Sequence, residues 1–135
     1  MKIAVIGSRG LRVNNLEKYL PKNTTEIVSG GAIGIDTCAK NYALSHKIKL
    51  TEFLPEYEKY GRSAPLKRNL QIIAYADEVL AFWDGESHGT KYVIENCKKQ
   101  NKLRRRTLCH IANLSRHKNL QYSVYKSNYK LKLMF

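Results

Sequence analysis

Three short segments of this sequence place glycine beside groups able to hold an anion. They are Gly7-Ser8-Arg9-Gly10, the stretch VSGGAIGID over residues 28–36, and DGESHGT over residues 84–90. Glycine reaches backbone conformations closed to other residues and lets another molecule approach the main chain, at a cost in conformational entropy. Where such a turn opens a helix, the unpaired amides and the helix dipole form an anion site, and phosphate is its natural occupant. Arg9 in the first turn, with Lys67 and Arg68 further along, supplies positive charge. Each residue also has a plainer reading. Asp36 in a first helical turn is stabilising through the dipole alone, Lys67 and Arg68 could be solvated helix charges, and Thr90 could simply begin its helix. Trp83, Phe82 and Tyr42 read as core or pocket wall.

The elements that must carry these turns follow from hydrophobic spacing. KIAVI (2–6), TEIVS (25–29), IKLTEFL (48–54) and EVLAFW (78–83) read as strands, the first two as buried runs that end at glycine. NNLEKYL reads as a short helical stretch closed by Pro21. Ile35, Ala39, Tyr42 and Ala43 recur with helical period, as do Leu66, Leu70, Ile73 and Ala74, with Lys67, Arg68 and Asn69 off that second stripe. PEYEKYGRSAP (55–65) is a polar, aromatic-bearing loop, and KYVIENCKK another helix. Strands alternating with helices predict an α/β domain, an open parallel sheet with right-handed crossovers and helices on both faces. In such sheets ligands bind beyond the carboxyl ends of the strands, where all three glycine turns fall.

Composition narrows the setting. A chain of 135 residues fits one domain. No apolar run approaches the roughly 18 residues of a membrane span, and the run after Met1-Lys2 is too short for a signal peptide, so a soluble, cytoplasmic protein with no membrane partner is expected. Cys38, Cys97 and Cys109 are odd in number and widely spaced, which argues against a disulfide framework. Neither they nor His46, His88, His110 and His117 show metal-ligand spacing, and no metal site is expected. The charge is uneven: residues 1–97 carry 13 Lys and Arg against 11 Asp and Glu, whereas residues 98–135 carry 11 Lys and Arg and no acid.

Two common nucleotide signatures are missing. GSRGLR is not GxGxxG, the second strand ends in Ser29-Gly30 rather than in an acid for a ribose, and there is no P-loop. Taken together, however, GSRG, VSGGAIGID, PLKRN and AYADEVLAFWDGESHGT resemble the YspA-type branch of the SLOG superfamily, which also includes DprA, the LOG phosphoribohydrolases and the YpsA proteins. The resemblance covers residues 1–97. It implies a Rossmann-like domain over 1–97, with 98–135 as a basic extension that contains a last strand or is poorly ordered. It also implies a pocket for a nucleotide or a nucleotide-derived ligand of ADP-ribose or NAD type. Carried over by position, the ligand-binding residues would be Gly7, Ser8, Arg9, Ser29, Gly30, Gly31, Ala32, Gly34, Asp36, Arg68, Asn69, Asp84, Gly85, Gly89 and Thr90. The oligomeric state is left open, a homo-oligomer included.

Three functions compete. Binding or sensing of the nucleotide comes first. Phosphoribohydrolase-type cleavage is the second, because the LOG enzymes carry PGGxGTxxE. Here Gly89 and Thr90 are kept, but Val93 stands at the glutamate position, and Glu95 is rotated by about 200° along a helix. Asp84 and Glu86 remain as candidate general bases, on the ground that a partly buried carboxylate can have a raised pKa. Single-stranded DNA binding of DprA type is the third. Arg104-Arg105-Arg106, Arg116, Lys118, Lys126, Lys130 and Lys132 with Tyr122, Tyr125 and Tyr129 among them supply charge and stacking groups. Within this tail RTLCHIA (106–112) and LQYSVY (120–125) are candidate strands.

Overall fold

The computed structural model describes residues 1–102, 108–114, 120–126 and 129–130, with side chains for residues 1–99. Its strands are β1 (Lys2–Gly7), β2 (Glu26–Ser29), β3 (Lys49–Glu52), β4 (Glu78–Trp83), β5 (Leu108–Leu114), β6 (Leu120–Lys126) and β7 (Tyr129–Lys130). Its helices are α1 (Ile35–Ser45), α2 (Tyr57–Tyr60), α3 (Ala64–Tyr75) and α4 (His88–Lys102).

The strands lie side by side in the order β3-β2-β1-β4-β5-β6-β7. From β3 to β5 every pairing is parallel, as the alternation of strands and helices predicts. RTLCHIA does supply the fifth parallel strand, over 108–114, paired along β4 from Glu78–Leu108 to Trp83–Asn113. The sheet is not parallel throughout, because β6 and β7 are antiparallel. The cause is connection length: a parallel neighbour needs a crossover of a dozen or more residues, and only residues 115–119 separate β5 from β6. The boundary at residue 97 falls inside α4, which continues to Lys102.

Alternation along the strands builds two cores. Ala4 and Ile6 of β1, Val79 and Ala81 of β4, Ile72 and Ile73 of α3 and Val93, Ile94 and Cys97 of α4 pack on one face. Ile3, Val5, Leu80 and Phe82 pack with Ile35, Ala39 and Ala43 of α1 on the other. Both faces of the β1–β4 centre are thereby covered, which is why these strands read as continuous apolar runs.

Two local expectations change. NNLEKYL gives only a 3-10 turn at Leu16–Lys18 that buries Leu16, since so short a polar stretch cannot carry a helix nucleus. The loop 55–65 is not irregular: it holds α2, a 3-10 turn at Gly61–Ser63 and the first residues of α3.

The buried stripe of α3 is also rotated from the predicted one. It runs through Ala64, Arg68, Ile72 and Ile73, while Leu66 is exposed. An arginine spaced four residues from both Ala64 and Ile72 sits on the inner face, where hydrophobicity alone would not place it.

Candidate functional site

Strand order reverses between β1 and β4, whose following connections leave for opposite sides of the sheet. The two strand ends are tied there, with the Ser8 amide donating to the Phe82 carbonyl at 3.0 Å and the Asp84 amide to Ser8 Oγ at 3.2 Å. Above this point lies a cleft of about 380 Å³, walled by residues from all three glycine turns and from α3. The helices α1, α3 and α4 each begin beside it, so three helix amino ends border one cavity.

Arg68 is the central group. Its side chain is buried, Nη1 donates to the Gly30 carbonyl and Nε donates to Asn69 Oδ1 at 2.9 Å, yet the residue still borders the cleft. Burial lowers its pKa, the carboxylate of Asp36 acts against that, and the nearby Arg9 adds to the lowering. An arginine stays protonated regardless. Two cations held near each other beside an open cleft therefore favour any anion that enters between them.

Asp36 faces Arg68 across Gly30. Its Oδ2 accepts the Ala32 amide at 3.1 Å, and a Cβ built on Gly30 would lie 3.0 Å from Asp36 Oδ2 and 2.5 Å from Arg68 Nη1. Burial pushes the Asp36 carboxyl above its ordinary range and Glu52 pushes it the same way, against the amides of Ala32 and Gly30 and the charge of Arg68. Asp36 thus does more than complement a dipole: it folds the glycine loop around Arg68.

Asp84 behaves in the opposite way to the expectation of a raised pKa. Burial works against its charged form, but the amides of Ser87 and Glu86 donate to Oδ1 at 2.8 and 2.9 Å and Ser8 adds a further hydrogen bond, so the carboxyl lies below its ordinary range. A carboxylate so well solvated by its own loop is a weak base. Glu86 is exposed and is not among the cleft residues.

Of the residues singled out in the sequence, Gly7, Arg9, Gly30, Ala32, Asp36, Arg68, Asn69, Asp84, Gly89 and Thr90 border the cleft. Ser8, Ser29, Gly31, Gly34 and Gly85 do not; Ser8 ties the strand ends and Ser29 is buried beneath the loop. Gly31 turns towards Leu54 instead, where a Cβ would lie 2.6 Å from Leu54 Cδ2. The sequence reading missed Pro65, Leu66, Ile72 and Ser87 as wall residues; the apolar ones carried only a core signal. Val93 is buried and also lines the cleft, so the position that the resemblance sets against the LOG glutamate is apolar here. The other buried carboxylate, Glu26, lies at the opposite end of the sheet, where Thr51 and Tyr75 hydroxyls donate to it at 2.6 and 2.7 Å.

The fold and its cleft define an α/β domain of Rossmann-like topology with cationic groups at the switch point. Residues 1–56 match the family model described as DNA recombination-mediator protein A, of the SLOG superfamily. The matched part holds β1 to β3, α1 and the first two glycine turns, and ends before α3 and β4. The chain significantly matches no curated protein and no solved structure. Among the described residues, no helix is long and apolar enough to cross a membrane.

Proposed function

We propose that the cleft binds the phosphate and ribose of a nucleotide or nucleotide-derived ligand of ADP-ribose type, as a binding or sensing domain of the YspA-type branch. The supporting observation is the buried Arg68, held by Gly30 and Asn69 beside Arg9, at the edge of a cavity bordered by three helix amino ends. Fixed donors of this kind suit a phosphate. Asp84 and Asp36 add acceptors suited to ribose hydroxyls.

The test is a thermal-shift series with adenosine monophosphate, ADP-ribose and inorganic phosphate, since a ligand that binds only the folded chain stabilises it by about 2.7 kcal/mol at a hundred times its Kd. A rise of several degrees with either nucleotide, larger than with phosphate, is expected. No shift with any of them would remove the reading. Release of base from the monophosphate should stay well below about 1 per second, the low end of ordinary enzymatic rates, because Val93 gives the cleft no carboxylate at that position; turnover at such a rate would restore the hydrolase reading.

Single-strand nucleic-acid binding is supported as a second reading by the description of the matching family and by the charge of residues 98–135. Ending the chain at Leu114 keeps β5 in place and removes Arg116, Lys118, Lys126, Lys130 and Lys132. If the tail contacts phosphates, affinity for an oligothymidine strand falls and the slope of its salt dependence shrinks by up to about 3.5. Unchanged affinity and slope would remove residues 115–135 from this reading while leaving the cleft untouched.

A further inference from the structure

Four charged side chains line the cleft, Arg9 and Arg68 against Asp36 and Asp84, so its wall is balanced before a ligand enters. An anion upsets that balance. The arginines stay protonated, and the amides of Glu86 and Ser87 hold Asp84 in its charged form. Of the four, Asp36 is the group able to give up its charge.

Its surroundings favour that change. The side chain is buried, and among the described residues no cation stands within ion-pairing distance of it. Arg68 supports its charge only from the far side of Gly30, while Glu52 of β3, paired with Lys40 of α1 at 3.9 Å, adds a like charge. Arg68 itself has donors to spare. Nη1 is held by the Gly30 carbonyl and Nε by Asn69, but Nη2 donates to no group among the described residues. An anion that accepts from Nη2 screens the positive charge that supports ionised Asp36 and sets a negative one nearby.

We propose that an anion bound at Arg68 brings a proton from solvent onto Asp36, so that the cleft holds its ligand more tightly as the pH falls. The coupling rests on the reading of the cleft as a nucleotide site. Its sign follows from reciprocity: the anion raises the proton affinity of Asp36, so the proton raises the affinity for the anion. Burial and the anion push the same way, which sets the coupling above the ordinary aspartate value of about 4. Neutral Asp36 still offers a carbonyl oxygen to a ribose hydroxyl.

Calorimetric titration of the full chain with ADP-ribose, in buffers of different ionisation enthalpy, counts the protons taken up. ADP-ribose is the probe because its pyrophosphate keeps its charge throughout, whereas a phosphate monoester itself titrates at about pH 6. Affinity should rise about tenfold from about pH 8 to about pH 5, with a fraction of a proton taken up per ligand. Asp36→Asn keeps the shape of the neutral carboxyl and an oxygen for the Ala32 amide. It should bind about tenfold more tightly than the parent at about pH 8 and take up no proton. His88→Gln alters an exposed residue next to Gly89 and should keep the parent's uptake. Binding by the parent without proton uptake overturns the coupling and leaves the nucleotide site standing. Uptake that persists in Asp36→Asn, or is lost in His88→Gln, overturns it by assigning the proton elsewhere. Weaker binding by a folded Asp36→Asn at every pH overturns it too, since the charge itself would then anchor the ligand. If ADP-ribose does not bind, the coupling and the site fall together.

Discussion

Replacing Gly34 by alanine is expected to cost about 3 kcal/mol of stability or more. The residue precedes α1 with φ at 80° and ψ at −121°, a conformation that residues with a side chain rarely adopt, and such backbone strain alone is worth about 1–3 kcal/mol. A Cβ would also lie 2.7 Å from the carbonyl carbon of Arg9 and closer still to its oxygen. Because both partners are backbone, relief requires the first and second glycine turns to move apart, which adds a further 1–3 kcal/mol or so of overpacking. Total stability of a domain is only about 5–15 kcal/mol, so urea unfolding should show an early midpoint. Gly10→Ala is the control: a Cβ there meets nothing within 4 Å, and the change should stay within about 0.5 kcal/mol. Equal midpoints for the two variants would mean that the contact between Arg9 and Gly34 does not fix the loops.

Gly89→Leu should do the reverse, keeping or raising the melting temperature while removing the binding of adenosine monophosphate. Gly89 lies in the first turn of α4 and borders the cleft, and a Cβ built on it meets nothing. Leucine is a better helix former than glycine by up to about 1 kcal/mol, so the fold has no reason to suffer. Its branched side chain, however, would occupy space beside Thr90 and cover the amides at the start of α4. A loss of affinity of at least about a hundredfold is expected by calorimetry, and retention of the parent's affinity would place the ligand elsewhere.

How much of this was legible beforehand depends on the residue. β4 and the turns of β1 and β2 were legible because apolar runs that stop at glycine have few alternative structures. The glycines themselves were less so: Gly30 makes room for Arg68 and Asp36, Gly34 lets two turns meet, and Gly89 leaves a cavity open. Those three causes write the same letter. The family resemblance marks Arg68 as a ligand candidate but hides its burial, because a charged residue on an inner stripe is explained only by partners distant in sequence, here Gly30. The lowered pKa of Asp84 is hidden from the sequence for a related reason, since the amides of Glu86 and Ser87 that cause it depend on how the loop closes.

The position of β5 in the sheet bears on how the chain is made. Every cleft residue is synthesised by Val93, whereas the strand that pairs with the outer edge of β4 is complete only at Leu114. At the usual 5–20 residues per second, the roughly thirty residues after Trp83 take about 2–6 s. Throughout that interval Val79, Leu80, Ala81 and Phe82 sit in a strand with one unpaired edge, the kind of template on which nascent chains stick to each other. A chain released before β5 would therefore carry every residue of the cleft and still fail, by aggregation.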